Sequence, residues 1–248
     1  HHDTGAVNEG PVSRALGVPG IPEDTELAIV QRDIDLVRET GVHVHFQHVS
    51  TAISFDAIRR AKAEGLPITC ETAPHYLALN DEALLKYGTL AKMNPPLRSE
   101  KDRQATIAAI ADGTVDMIAT DHAPHTLDEK RLGFLEAPNG IIGLECAFGV
   151  CHKILVDGGY ISDERLIELM ALNPASLMGR HSTDIAGLLN TSARCATTRT
   201  LDLAATEHPE SNDLVILGLD DEWTVAADEF KSNARNTPFD GWQVTGRP

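Results

Sequence analysis

No run of about 20 apolar residues occurs in this 248-residue chain, so its sequence holds no membrane-spanning helix. Clustered lysine and arginine are missing as well. Against 21 basic residues stand 37 acidic ones, a formal net charge of −16, and binding to a phosphate backbone needs the opposite sign, so no nucleic-acid partner is expected. The first residues lack the charged and apolar regions of a signal peptide, and a soluble cytoplasmic protein is the expectation. Cysteine is sparse. Cys70, Cys146, Cys151 and Cys195 show no CxxC spacing, which argues against a zinc knuckle or a disulfide framework and for reduced thiols.

What is present is a 42% hydrophobic fraction, enough for one large domain or for one domain with a small appendage. Leu27, Ile29, Val30, Ile34, Leu36 and Val37 have a helix-like distribution over Glu23 to Thr40, stopped by Gly41. From Val42 to Ser50 β-branched residues alternate with histidines, which predicts a strand sending His43 and His45 to one face, with His48 at or beyond its end. A helix from Ser54 to Ala63, a Gly65-Leu66-Pro67 break and a strand Ile68 to Thr72 running toward His75 repeat the pattern. A third unit has a helix from Lys101 to Ala111, a turn at Asp112-Gly113 and an apolar run Val115 to Ala119 leading into Asp121. Such alternation implies parallel βα units. Helical patterns at Gly143 to Val156 and Ser162 to Met178 complete a first region, 1–178. The stretch 179–212 has no sustained periodicity. Region 213–248 reads as a small β tail, with a strand at Asp213 to Leu217, an acidic turn Asp220-Asp221-Glu222 and a strand at Trp223 to Val225.

Thr120-Asp121-His122-Ala123-Pro124-His125 places a carboxylate and an imidazole four residues apart just after a predicted strand. In a β/α barrel the C-terminal strand ends converge on the active site, and an Asp there binds a metal or moves a proton. An Asp before a turn also caps loops, and a His is often only a polar surface residue. Two further strand-like segments run toward histidines, His48 and His75, and this company favours chemistry.

Five stretches resemble the dihydroorotases, metal-dependent amidohydrolases of the (β/α)8 type. They are His48-Val49-Ser50-Thr51, Glu71 to Leu77, Met93-Asn94-Pro95-Pro96-Leu97-Arg98, Thr120 to His125, and Ala137 to Glu145, in the family's order over roughly residues 9–178. The resemblance implies an α/β fold, here a partial (β/α)8 TIM barrel with a small C-terminal β tail. It implies a reversible hydrolysis of the cyclic amide of dihydroorotate to N-carbamoyl-aspartate, with two Zn2+ ions per site. His48 is similar to a zinc ligand. Asp121 is similar to a ligand of the other zinc that also shuttles the proton. Asn94 and His125 match substrate contacts, as does the backbone at Asn139 and Gly140. Asn94 before two prolines also suits a turn, and Arg98 suits loop anchoring equally well. His75 is expected in a supporting or structural role, and His43 and His45 as satisfied core or interface residues. Family likeness further implies a homodimer and aspartate transcarbamoylase as a partner.

The chain departs from the family pattern in three places. A His-x-His pair, a bridging carboxylate, a further histidine and an arginine would precede residue 9, so the chain reads as a C-terminal portion of a dihydroorotase. His1 and His2 do not match that further histidine's surroundings and equally suit a tag or processing scar. The segment 179–210 does not resemble the start of the family's tail, and Tyr76 stands where many relatives have a second histidine. Allantoinase, dihydropyrimidinase and a non-catalytic transcarbamoylase-associated subunit are the competing readings. The strings at Asn94 and Asp121 favour dihydroorotase over the first two, and retention of His48 and Asp121 favours an enzyme ancestor over the third.

Overall fold

Pro11, a residue suited to a first helical turn, opens α1 (Pro11–Leu16), and Gly17 in a left-handed conformation closes it. This helix joins two short parallel strands, β1 (Val7–Asn8) and β2 (Gly20–Ile21), in a computed structural model that describes residues 5–179, 215 and 217–247. Helix α2 (Asp24–Thr40) follows, with Val30, Ile34 and Val37 buried at helical spacing and Gly41 as its left-handed terminus.

The predicted βα alternation is observed. Strands β3 (Val44–Phe46), β4 (Ile68–Thr72) and β5 (Met117–Ile118) form a parallel sheet in the order β3-β4-β5. Helix α3 (Ala52–Ala63) connects the first pair. Helices α4 (Pro74–Ala78), α5 (Ala83–Tyr87) and α6 (Glu100–Ala111) lie between the second. Thr51 caps α3 by accepting from the Ser54 amide, and Ser99 caps α6 through Asp102. Period-two alternation assigns the faces of the sheet. Phe46, Ile68, Cys70 and Ile118 pack with Phe55, Ile58, Ile107 and Ile110 of the helices. His43, His45, Thr69 and Glu71 occupy the other face, linked by hydrogen bonds.

Two strands are shorter than the sequence predicts, Val44–Phe46 against a strand from Val42 that ends by about His48, and Met117–Ile118 against 115–119. Their neighbours still bond to β4. Val49 donates to the Glu71 carbonyl, Asp116 to Cys70 and Ala119 to Thr72, but the backbone at His48 turns to φ +41 and the regular ladder stops.

Helix α7 (Leu127–Lys130) opens with a Thr126–Glu129 capping box. The helix expected from Gly143 starts later, as α8 (Ala147–Cys151), and the Gly143 and Leu144 amides before it donate to His122 Nδ1. It continues into a wider π-type turn, His152–Val156. The pattern over 162–178 resolves into α9 (Asp163–Ile167), a π-type turn Glu168–Leu172 and α10 (Asn173–Leu177).

In the tail, β6 (Gly218–Thr224) and β7 (Gln243–Arg247) pair antiparallel. The acidic residues 220–222, expected as a turn, instead lie inside β6. They are exposed, so their charges stay solvated, and a register irregularity between Gly218 and Glu222 accommodates them. Of the strand expected at 213–217, only Val215 and Leu217 are among the described residues, and 180–212 lie outside them. A second core joins Val225, Phe239 and Val244 of the tail to Tyr76, Met93, Ile141 and Val150. Among the described residues no helix is long and apolar enough to cross a membrane.

Candidate metal and substrate site

His48 and Asp121 are the two non-glycine residues with positive φ among the described residues, at 41° and 46°. This backbone region costs about 1–3 kcal/mol per residue, so the fold holds both in place against a local preference. They leave the sheet on either side of β4. Val49, next to His48, donates to the Glu71 carbonyl at 2.9 Å, while Ala119, two residues before Asp121, donates to the Thr72 carbonyl at 3.0 Å.

His75 joins them from α4. It is buried, its Nε2 lies 3.9 Å from Asp121 Oδ2, and that nitrogen has no hydrogen-bond partner. Burial, with nearby His48 adding to it, pushes the His75 pKa down to about 3, so the imidazole is neutral. Burial raises the Asp121 carboxyl, Glu71 adds to the rise and His48 opposes it. Beside this cluster, His43 donates to the Thr69 hydroxyl at 3.1 Å. Thr69 donates to His45 Nδ1 at 2.9 Å, and His45 Nε2 donates to Glu71 at 3.1 Å. His45 is thus satisfied on the sheet face, as expected, whereas His43 bonds Thr69 from an exposed position and is not a core residue.

The loop after His48 is fixed by Glu26 of α2. Its carboxylate accepts from both the amide and the hydroxyl of Ser50 and of Thr51, at 2.5–3.2 Å. Arg98 is buried at 4% exposure and donates to the Ile21 carbonyl, Asn8 Oδ1 and Ser50 Oγ, so the loop-anchoring reading of Arg98 describes its contacts. Nothing local in the sequence marks Glu26 for this work, since its partners are 24 and 25 residues away.

His48, Asn94, Arg98 and Asn139 share the wall of a cleft of about 480 Å³; Asp121 and His125 are not part of that wall. Tyr76, buried in the second core, donates to the Pro95 carbonyl at 2.7 Å and so braces the loop carrying Asn94. His125 Nε2 donates to the Asn139 carbonyl at 2.9 Å, which brings two more of the expected substrate residues together. Gly140 lies under them at φ +148, where an added Cβ would come within 2.7 Å of the Ala123 Cβ and 2.8 Å of His125 Cδ2. Lys130 secures the same loop from behind. Its ammonium donates to the carbonyls of Lys92, Pro138 and Gly140, and burial, with Lys92 next to it, pushes its pKa down to about 8.

His48, His75 and Asp121 offer two imidazoles and a carboxylate, the donor types zinc prefers. The unpartnered buried nitrogen of His75 fits a role beside a metal. Among the described residues, however, no three His, Cys, Asp or Glu side chains lie where they could hold a metal ion together. The donor set fits in kind and is partial in number.

The chain is 41% identical over 244 residues to a dihydroorotase from Acetivibrio thermocellus, a match covering 98% of this chain and 52% of that protein. With a dihydroorotase from Lactiplantibacillus plantarum it shares 44% identity over 246 residues, covering 99% and 52%. It therefore spans about half the length of the curated relatives it matches. No family model matches the chain. Among solved structures, an L-hydantoinase (dihydropyrimidinase) from Arthrobacter aurescens superposes with a TM-score of 0.72 at 30% identity, covering 88% of this chain and 45% of that one. A D-hydantoinase (dihydropyrimidinase) from Thermus sp. gives 0.71 at 23% identity, covering 96% and 49%, and at that identity the likeness shows the fold alone.

Proposed function

This chain is a homologue of about half of a dihydroorotase, and from that premise we propose that it carries one part of a zinc site for dihydroorotate hydrolysis and its reverse. The observation that carries the reading is the convergence of His48, His75 and Asp121 at the C-terminal side of the parallel sheet. His48 and Asp121 are the two residues held at positive φ there.

His48 through its imidazole and Asp121 through its carboxylate are the residues that hold zinc in this proposal, with His75 supporting Asp121. Bound zinc supplies Lewis acidity and eases deprotonation of water at neutral pH. Asp121 accepts the proton of the attacking water at a carboxylate oxygen and delivers it to the leaving ring nitrogen as the amide C–N bond breaks. The product is N-carbamoyl-aspartate, and microscopic reversal closes the ring. Asn94, His125 and the backbone at Asn139 and Gly140 hold the pyrimidine ring. The setting we propose is pyrimidine biosynthesis in the cytoplasm, with a homodimer and a transcarbamoylase as assembly partners.

Allantoinase and dihydropyrimidinase chemistry is the alternative, and the L-hydantoinase (dihydropyrimidinase) superposition supports the second of these. The 41–44% identity to dihydroorotases against 30% to the L-hydantoinase favours the first reading. Turnover of dihydroorotate, allantoin, hydantoin and dihydrouracil by the zinc-loaded protein, with the rest of the site supplied, separates them. Dihydroorotate is expected to be preferred by about 10²-fold or more in kcat/KM, because polar groups placed to hydrogen-bond one ring, here Asn94 and His125, are left unpaired by analogues lacking the matching group. Faster turnover of any of the others overturns the assignment.

A further inference from the structure

We propose that Asn236, a residue of the tail, is a positioning residue that fastens the His125 and Gly140 loops to each other; its bearing on substrate rests on the dihydroorotase reading. Asn236 is fully buried. Its Oδ1 accepts from the His125 amide at 3.0 Å, and its Nδ2 donates to the Ala123 carbonyl at 2.9 Å and the Gly140 carbonyl at 3.1 Å. Its backbone carbonyl accepts from the Ile142 amide at 3.0 Å. The side chain spends one acceptor and both donor hydrogens on the two loops, which fixes the orientation of the amide.

The two loops also meet directly at their bases, where His122 bridges to Ile141 and its Nδ1 accepts from the Gly143 and Leu144 amides, and at two points nearer His125. The Ala123 amide donates to the Ile141 carbonyl at 3.1 Å, and His125 Nε2 donates to the Asn139 carbonyl at 2.9 Å. The His125 ring therefore depends on where its own backbone is held, and Asn236 holds it from 111 residues away. Asn236 is itself restrained on both sides. Upstream, the Glu145 carboxylate accepts from the Lys231 and Ser232 amides at 2.8 and 3.0 Å. Downstream, Phe239 is buried at 1% exposure and meets the Trp242 ring edge-on at 5.1 Å between centroids. Glu145 starts from the same loop that carries Asn139 and Gly140, so the tail is tied to this loop at two places.

An Asn-sized residue without the donor pair separates hydrogen bonding from packing. Asn236→Asp keeps the acceptor for His125 but turns a carboxylate oxygen toward the carbonyls of Ala123 and Gly140. Expected is a rise in KM for dihydroorotate of about tenfold or more, with kcat and bound zinc changed less than about threefold, since ring placement and not the metal site is disturbed. Unchanged KM, or a loss of kcat and zinc together with the melting temperature, contradicts a positioning role and makes Asn236 a purely structural residue.

Amide hydrogen exchange on the unaltered protein tests the fastening without any variant. The His125 amide is expected to exchange within about tenfold of the Val49 and Ala119 amides, which bond to β4. Exchange at His125 as fast as in an open loop overturns the proposal, whether or not Asn236→Asp folds. If the unaltered protein turns over no dihydroorotate, the functional reading fails while amide exchange still decides the fastening.

Discussion

Replacing Asp121 by asparagine is expected to lower kcat for dihydroorotate by about 10³-fold, with the melting temperature changed by only a few degrees. Asparagine keeps the size of the side chain and is among the few residues that tolerate positive φ, so the backbone at 46° is not penalised. What disappears is the carboxylate. An amide oxygen neither takes the proton of the attacking water nor returns it to the ring nitrogen, and positioned acid–base groups contribute about 10²–10⁴ to such rates. Loss of a zinc-binding oxygen acts in the same direction. Steady-state kinetics beside a thermal melt make the measurement. A fall of less than about tenfold would show that proton transfer goes through another group.

The Gly140→Ala variant is expected to raise KM by about 10- to 100-fold while leaving bound zinc intact. A methyl at this position meets the Ala123 Cβ at 2.7 Å, His125 Cδ2 at 2.8 Å and the Ala123 carbonyl oxygen at 2.9 Å, all closer than real Cβ contacts allow. Two of these neighbours are backbone-fixed, so the His125 ring and the 139–141 loop must give way. The φ of +148 adds a backbone cost of about 1–3 kcal/mol for any residue with a Cβ. Gly159→Ala is the control. Gly159 also has positive φ, at +74, but open space around its Cβ direction, so alanine there strains the backbone without reaching the site. Its KM is expected to match that of the unaltered protein. Equal KM effects of the two substitutions would mean that general strain, not displacement of His125, explains the loss.

The placement of the site was legible in the sequence because it rests on local patterns. Alternating apolar residues before His48 and the apolar run before Asp121 gave the parallel strands β3 and β5, which flank β4. The strands were read too long for a physical reason. Their apolar residues extend to both sides of the paired stretches, and the regular ladder stops before the backbone turns to positive φ at His48 and Asp121. The acidic triplet at 220–222 was read as a turn because charge mimics a turn signal, whereas an exposed face of β6 solvates it equally well. Glu26 and Lys130 left no mark at all, and nothing in the sequence showed what Asn236 bonds. Each acts on backbone groups of distant loops, and a single buried polar residue has no periodicity by which a sequence reading finds it. Tyr76 was noticed only as a departure from the family; its hydrogen bond to the Pro95 carbonyl gives the departure a structural use.

The most direct measurement compares zinc affinity of the protein with that of its His48→Ala variant, by elemental analysis of dialysed samples and by competition with a chromophoric chelator. If His48 holds zinc beside Asp121, the variant loses affinity by about 10²-fold or more, since even supporting residues around a zinc site are worth 10–100-fold. X-ray absorption then shows one nitrogen donor fewer on any zinc that remains. Equal affinity and an unchanged coordination shell in the two proteins would contradict the account, because His48 would then stand at positive φ beside a site to which it contributes nothing.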